Sequence, residues 1–81
     1  MEVEFIVEGA GCPSCAKLVG NVVAELGALR EVSIDEKADV AHVRAEIPDT
    51  VGSKQLDAAL GGASGVGHAY RVRPGSWQPN G

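Results

Sequence analysis

Two cysteines separated by two residues are the side chains of this sequence with the most distinctive chemistry. They lie in Gly11-Cys12-Pro13-Ser14-Cys15, between an alternating segment and a segment of helical periodicity. Cysteines at positions i and i+3 can face each other when the first is on the loop entering a helix and the second is in its first turn. The positive end of the helix favours the thiolate, the form of cysteine that binds metal ions. The motif therefore predicts a site with two sulfur ligands.

Two thiolates without further ligands favour soft metal ions. Sulfur ligands select ions such as Cu(I) over hard ions such as Mg²⁺ or Ca²⁺. A structural zinc site usually has about four protein ligands, so zinc would need ligands from outside this motif. The alternative is that the cysteines are small buried core residues, although the Gly/Pro loop around them favours a functional site. An exposed two-ligand site also leaves room for the thiols of another protein, which suits transfer of the ion.

The composition indicates one small globular domain and excludes several functions. The chain has 81 residues, of which 44% are hydrophobic and 22% are charged, and these fractions argue against disorder. A net charge of -4, few aromatic residues and no Lys/Arg cluster argue against a nucleic-acid partner. Met1 is followed by Glu2 and Glu4 rather than by basic residues and an apolar stretch. We therefore expect a cytoplasmic monomer that does not insert into a membrane.

The periodicity of the chain predicts the element order β-α-β-β-α-β. Val3, Phe5 and Val7 alternate with glutamates, as in a strand with one buried face, and an apolar stripe from Cys15 to Leu26 predicts the first helix. The later elements are a hairpin of residues 30–35 and 40–47, a helix with Ser53 as its N-cap, and a last strand over residues 68–73. This order predicts a ferredoxin-like α+β sandwich, with two helices on a four-stranded antiparallel sheet. We expect the domain to span residues 1–73 and the Pro/Gly-rich residues 74–81 to form a disordered tail. The sequence does not decide whether Trp77, within that tail, folds back on the sheet.

These features resemble the heavy-metal-associated domain of copper chaperones, heavy-metal P-type ATPases and bacterial mercury-binding proteins. The matching segments are VEGAGCPSCAKLV, the Val32–Val43 hairpin, the helix start at Ser53 and a Gly-x-x-Tyr-x-Val ending at Val72. The resemblance implies that Cys12 and Cys15 bind the metal and that the protein is not an enzyme. It also implies Cu(I) as the first choice of ion, Hg(II) as the second, and Zn(II) or Cd(II) as the third. The implied partner is a metal-transporting ATPase or another CxxC metal acceptor.

Two positions near the cysteines bear on this resemblance. The family usually has a core-packed Met two residues before the first cysteine, where this chain has Ala10. The resemblance therefore implies the thiolate pair, but the loop rigidity and metal preference of the family do not carry over. His68 precedes the last strand, and in a ferredoxin-like sandwich that loop lies beside the loop carrying the cysteines. We hypothesise that His68 is a third ligand or a proton-sensitive neighbour of the metal, with a solvated loop histidine as the alternative. His42 is expected on the solvent face of its strand.

A thiol–disulfide oxidoreductase is the competing interpretation. Cys-Pro-x-Cys between a strand and a helix is also similar to glutaredoxins and small thioredoxin-like proteins. That fold needs a loop proline packed against the dithiol and followed by a hairpin, whereas Pro48 precedes a helix signal. It also needs a parallel crossover after the first helix, where this sequence predicts an antiparallel hairpin. A third interpretation is an interaction module in which the cysteines are incidental.

Overall fold

A computed structural model describes residues 1–63 and 69–79 of the chain. The described elements are β1 (Glu2–Glu8), α1 (Pro13–Leu26), β2 (Ala28–Asp35), β3 (Val40–Glu46), α2 (Ser53–Ala63), β4 (Arg71–Val72) and β5 (Gln78–Pro79). The predicted order of strands and helices is therefore confirmed as far as β4. β5 is an addition that the sequence did not predict.

The strands form one antiparallel sheet in the order β2-β3-β1-β4, and β5 also pairs with β1. Phe5 on β1 lies opposite Val43 on β3, which in turn lies opposite Val32 on β2. Because side chains alternate between the faces of a strand, this register gathers the apolar residues on one face. With two helices on the sheet, the predicted ferredoxin-like fold is confirmed.

The core lies between that apolar face and the two helices. The strands and helices contribute the buried residues Val3, Phe5 and Val7 on β1, Ala41, Val43 and Ala45 on β3, Val72 on β4, Cys15, Val19, Val22 and Val23 on α1, and Leu56 and Leu60 on α2, and the connecting segments add Ala10, Ile47 and Tyr70. Full burial of a valine, leucine or phenylalanine side chain stabilises the fold by about 1.5–3 kcal/mol. This packing fixes α1 against the sheet and so fixes the position of the helix end that carries the cysteines. Neither described helix combines the length and the apolar character that crossing a membrane requires.

Residues 74–79 differ from the predicted disordered tail. After β4 the chain makes a turn, in which the N–H of Ser76 donates to the carbonyl of Arg73 at 3.1 Å, and then pairs with β1 again as β5. At the end of this turn the Ser76 hydroxyl accepts the N–H of Ile6 at 3.1 Å, in place of a backbone carbonyl from a paired strand. The Trp77 ring stacks on Phe5 with centroids 5.3 Å apart and an interplanar angle of 26°. Pro74 and Gly75 thus lie in a turn between two short strands, while residues 80 and 81 lie outside the described part of the chain.

Candidate metal centre

The cysteines lie at the end of the sheet where β1 leads into α1. Residues 9–12, here called the thiol loop, connect the two elements. Gly9 has a φ of 80°, and a Cβ at this position would lie 2.7 Å from the carbonyl oxygen of Ala69. A glycine is therefore required for the chain to turn out of β1 so close to the segment that precedes β4. Ala10 is fully buried in the core. It occupies the position at which the family that the sequence resembles usually has a methionine.

The thiol loop also lies against the turn between β2 and β3. The N–H of Gly9 donates to the carbonyl of Asp39 at 2.8 Å, and the N–H of Gly11 donates to Asp39 Oδ1 at 3.0 Å. A Cβ on Gly11 would meet Asp39 Cα and would lie 2.9 Å from the carbonyl oxygen of Asp35. The loop is thus held by hydrogen bonds and by close backbone packing immediately before Cys12.

Cys12 is the N-cap of α1. Its backbone is extended, with φ -113° and ψ 157°, and Pro13 follows in the first turn, where its fixed φ suits a helix start. The carbonyl of Cys12 accepts the N–H of Ala16 at 2.9 Å, and its Sγ accepts the N–H of Cys15 at 3.2 Å. The sulfur therefore occupies the position that a serine or aspartate oxygen takes in an ordinary N-cap.

The two sulfurs converge on each other. The structure contains them as a disulfide, with the Cα atoms of Cys12 and Cys15 5.1 Å apart. Cys15 is only 2% exposed and belongs to the core, whereas Cys12 is partly exposed. Reduction of this bond by two electrons yields two thiols that are already adjacent. The sequence left the oxidation state open, and the structure shows that the spacing allows the bond to form.

The surroundings of Cys12 favour its thiolate. The N–H of Cys15 points at Sγ, and the Ser14 hydroxyl lies 3.4 Å from it and can turn to donate. Hydrogen bonds to an anion and the positive end of a helix both stabilise the charged form of a thiol. Lys17 is exposed one turn further along α1. The reduced pair can therefore supply two anionic sulfur ligands to one ion.

The histidines have different places relative to the pair. His42 is exposed on β3 opposite Ile6, on the sheet face away from the helices, as the sequence predicted. His68 lies outside the described residues, so its proximity to the cysteines stays a prediction. Within residues 1–63 and 69–79, no group of three or more His, Cys, Asp or Glu side chains is placed to hold a metal ion. In the described part of the chain, the candidate centre consists of the two sulfurs.

A model of the heavy-metal-associated domain family matches residues 4–65. The chain belongs to the heavy-metal-associated domain family. Two solved structures with this domain's fold are similar over 90% of this chain and 99% of their own chains. One is oxidized MerP from Ralstonia metallidurans CH34, with 16% identity and a TM-score of 0.55. The other comes from work on crosstalk between Cu(I) and Zn(II) homeostasis, with 20% identity and a TM-score of 0.56. No curated protein matches the chain.

The heavy-metal-associated fold does not favour the thioredoxin-like interpretation. β2 follows α1 directly and pairs antiparallel with β3, where a thioredoxin-like chain would make a parallel crossover. Pro48 is followed by α2 and not by a hairpin.

The sequence analysis did not identify Asp39 as a residue of the site and treated it only as part of a polar turn. The sequence feature that could have pointed to Asp39 is that aspartate tolerates the left-handed backbone conformation, which Asp39 adopts with a φ of 55°.

Proposed function

We propose that this heavy-metal-associated domain binds one soft metal ion through the thiolates of Cys12 and Cys15 and passes it to another protein, without catalysing a reaction. The observation that supports the proposal is the convergence of one partly exposed and one buried sulfur at the N-terminus of α1. The family match supports heavy-metal binding in general. The donor set supports a soft ion, because thiolates are soft ligands.

Loading begins from the reduced pair. A thiol reductant supplies the two electrons that open the Cys12–Cys15 bond, and the reductant is oxidised to its own disulfide. The incoming ion then displaces the two thiol protons to water, since metal ions bind the thiolate form. The N–H of Cys15 and the Ser14 hydroxyl remain beside Cys12 Sγ and offset part of the negative charge.

The unequal burial of the two sulfurs determines the order in which they release the ion to a partner protein. A partner thiolate can approach the ion from the side of Cys12, because Cys15 is only 2% exposed. A bond from the partner sulfur to the ion forms first, the bond to Cys12 breaks next, and a second partner thiolate then replaces Cys15. The ion keeps its oxidation state throughout, and each released cysteine takes up a proton. The proposed acceptor is a metal-transporting ATPase or another CxxC protein.

Cu(I) is the proposed cargo, followed by Hg(II) and then by Zn(II) or Cd(II). Cu(I) and Hg(II) are soft ions that two thiolates can satisfy, whereas zinc in proteins usually has about four ligands. The described residues around the pair supply no cluster of further ligands. We propose a cytoplasmic monomer, since the cytosol keeps thiols reduced and available to the ion.

Anaerobic titration of the reduced protein with Cu(I), Hg(II), Zn(II) and Cd(II) tests this function. Wild type is compared with Cys12→Ser and Cys15→Ser, and His42→Ala is the control because His42 lies on the opposite sheet face. We expect about one tightly bound ion per chain, unchanged affinity in His42→Ala, and a loss of more than about a hundredfold in each cysteine variant. Unchanged binding after replacement of either cysteine would support an interaction module with incidental thiols. Sustained turnover of a disulfide substrate, with a potential in the glutaredoxin range, would support the oxidoreductase.

His68 is retained in the proposal as a third ligand or a proton-sensitive neighbour of the ion. His68 directly precedes Ala69 in the sequence, and a Cβ on Gly9, at the base of the thiol loop, would lie 2.7 Å from the carbonyl oxygen of Ala69. Metal affinity of His68→Ala is measured between about pH 6 and about pH 8, where an ordinary histidine changes its charge. His42→Ala is the matched control. A ligand role predicts weaker binding and a changed pH dependence in His68→Ala alone, whereas an unchanged profile would leave His68 as a solvated loop residue.

A further inference from the structure

Asp39 joins the β2–β3 turn to the thiol loop at two points. Its backbone carbonyl accepts the N–H of Gly9 at 2.8 Å, and its side-chain Oδ1 accepts the N–H of Gly11 at 3.0 Å. Gly11 is buried and directly precedes Cys12. The side-chain bond therefore fixes the last residue before the cysteine pair, while the backbone bond fixes the start of the loop.

The backbone of Asp39 indicates that the carboxylate has a role of its own. With a φ of 55°, Asp39 is the sole non-glycine residue of positive φ in the described ranges 1–63 and 69–79. A glycine would adopt this conformation without steric cost, whereas an aspartate adopts it less readily. An aspartate at this position supplies an acceptor for the thiol loop that glycine would lack.

The turn that carries Asp39 is itself well fixed. Asp35 Oδ1 accepts the N–H groups of Lys37 at 3.1 Å and of Ala38 at 3.2 Å, so the chain between the two aspartates is hydrogen-bonded to β2. The backbone of both aspartates also packs against Gly11. The thiol loop therefore packs against a hydrogen-bonded turn, and Asp39 is the residue that joins the loop to it through hydrogen bonds.

We propose that Asp39 is a positioning residue for the cysteine pair. Its carboxylate holds Gly11 so that Cys12 Sγ faces Cys15 before an ion arrives. This inference rests on the proposed metal-binding function. Without the carboxylate, the loop populates arrangements in which the sulfurs are further apart, and the apparent affinity falls in proportion to the fraction of chains that remain competent.

Two substitutions at Asp39 and one elsewhere test the proposal. Asp39→Gly removes the carboxylate and tolerates the positive φ, whereas Asp39→Asn keeps an oxygen acceptor for Gly11. Asp57→Ala is the matched control, because Asp57 Oδ1 accepts the N–H of Val72 at 2.8 Å and so forms the same kind of bond away from the thiol loop. Two quantities are measured: the soft-metal affinity of the reduced protein, and the equilibrium between thiols and disulfide in a glutathione buffer without metal.

We expect Asp39→Gly to lower both the metal affinity and the equilibrium constant for disulfide formation by about tenfold. Asp39→Asn should stay within about threefold of wild type, and Asp57→Ala should lower the resistance to urea without changing either quantity. Wild-type values in Asp39→Gly, or an Asp39→Asn variant as impaired as Asp39→Gly, would overturn the proposal. If the wild-type protein binds no soft ion, the proposed function fails, and the disulfide equilibrium alone then decides whether Asp39 positions the thiols.

Discussion

The two cysteines should differ in their contributions to stability, although the proposed function requires both for metal binding. Cys12 caps α1 through its Sγ, and serine is among the most favourable N-cap residues, so Cys12→Ser keeps an acceptor for the N–H of Cys15. Cys15 is 2% exposed within the apolar core, so Cys15→Ser places a hydroxyl among hydrophobic side chains. The same replacement therefore meets two different environments.

The size of the difference follows from these environments. A substitution that leaves a smaller and more polar side chain in a packed core lowers the free energy of unfolding by about 1–3 kcal/mol. Cys15→Ser should lower the free energy of unfolding by about this amount, while Cys12→Ser should change it by less than about 0.5 kcal/mol. With a urea dependence of about 1 kcal/mol per molar for a protein of this size, the midpoint for Cys15→Ser should fall by about 1–3 M.

Urea denaturation under excess reductant measures this difference. Reduction is necessary because a disulfide in wild type would stabilise the reference protein and obscure the effect of the side chains. Far-ultraviolet circular dichroism and the fluorescence of Trp77 report on the transition. Equal destabilisation by the two substitutions, or a neutral Cys15→Ser, would refute the assigned burial of Cys15 and the capping role of Cys12.

Two further substitutions separate loop geometry from overall stability. Gly11→Ala adds a methyl group against backbone, including the carbonyl oxygen of Asp35 at 2.9 Å, so we expect about 1–3 kcal/mol lower stability together with weaker metal binding. Gly61→Ala is its control, because a Cβ there meets open space, and equal metal affinities in the two variants would contradict the account of the loop. Trp77→Ala removes the ring stacked on Phe5 and should lower the free energy of unfolding by about 1–3 kcal/mol, as calorimetry can measure. Metal affinity should be unchanged in Trp77→Ala, and a large loss would show that β5 supports the thiol loop.

The sequence predicted those parts of the fold that local periodicity determines. The alternation of Val3, Phe5 and Val7 defined a strand with one buried face, and the stripe that begins at Cys15 defined α1. Both patterns depend only on which side of an element meets the core. The position of the cysteines followed from the same reasoning, because Pro13 marks the first turn of the helix.

The sequence patterns could not predict contacts between segments that are distant in the chain. Pro and Gly near the C-terminus predicted a disordered tail and left open whether Trp77 folds back on the sheet, whereas in the structure its ring stacks on Phe5. The residues from Asp35 to Asp39 indicated a polar turn, yet the acceptor role of Asp39 depends on how closely the thiol loop approaches that turn. Such contacts arise from tertiary packing, which no single segment encodes by itself.

X-ray absorption of the reduced, Cu(I)-loaded protein tests the central claim most directly. If Cys12 and Cys15 are the metal ligands, each copper ion should have about two sulfur scatterers around it. This sulfur signal should be lost in Cys12→Ser and in Cys15→Ser. A copper environment of nitrogen or oxygen ligands, or the same sulfur signal in both serine variants, would contradict the claim.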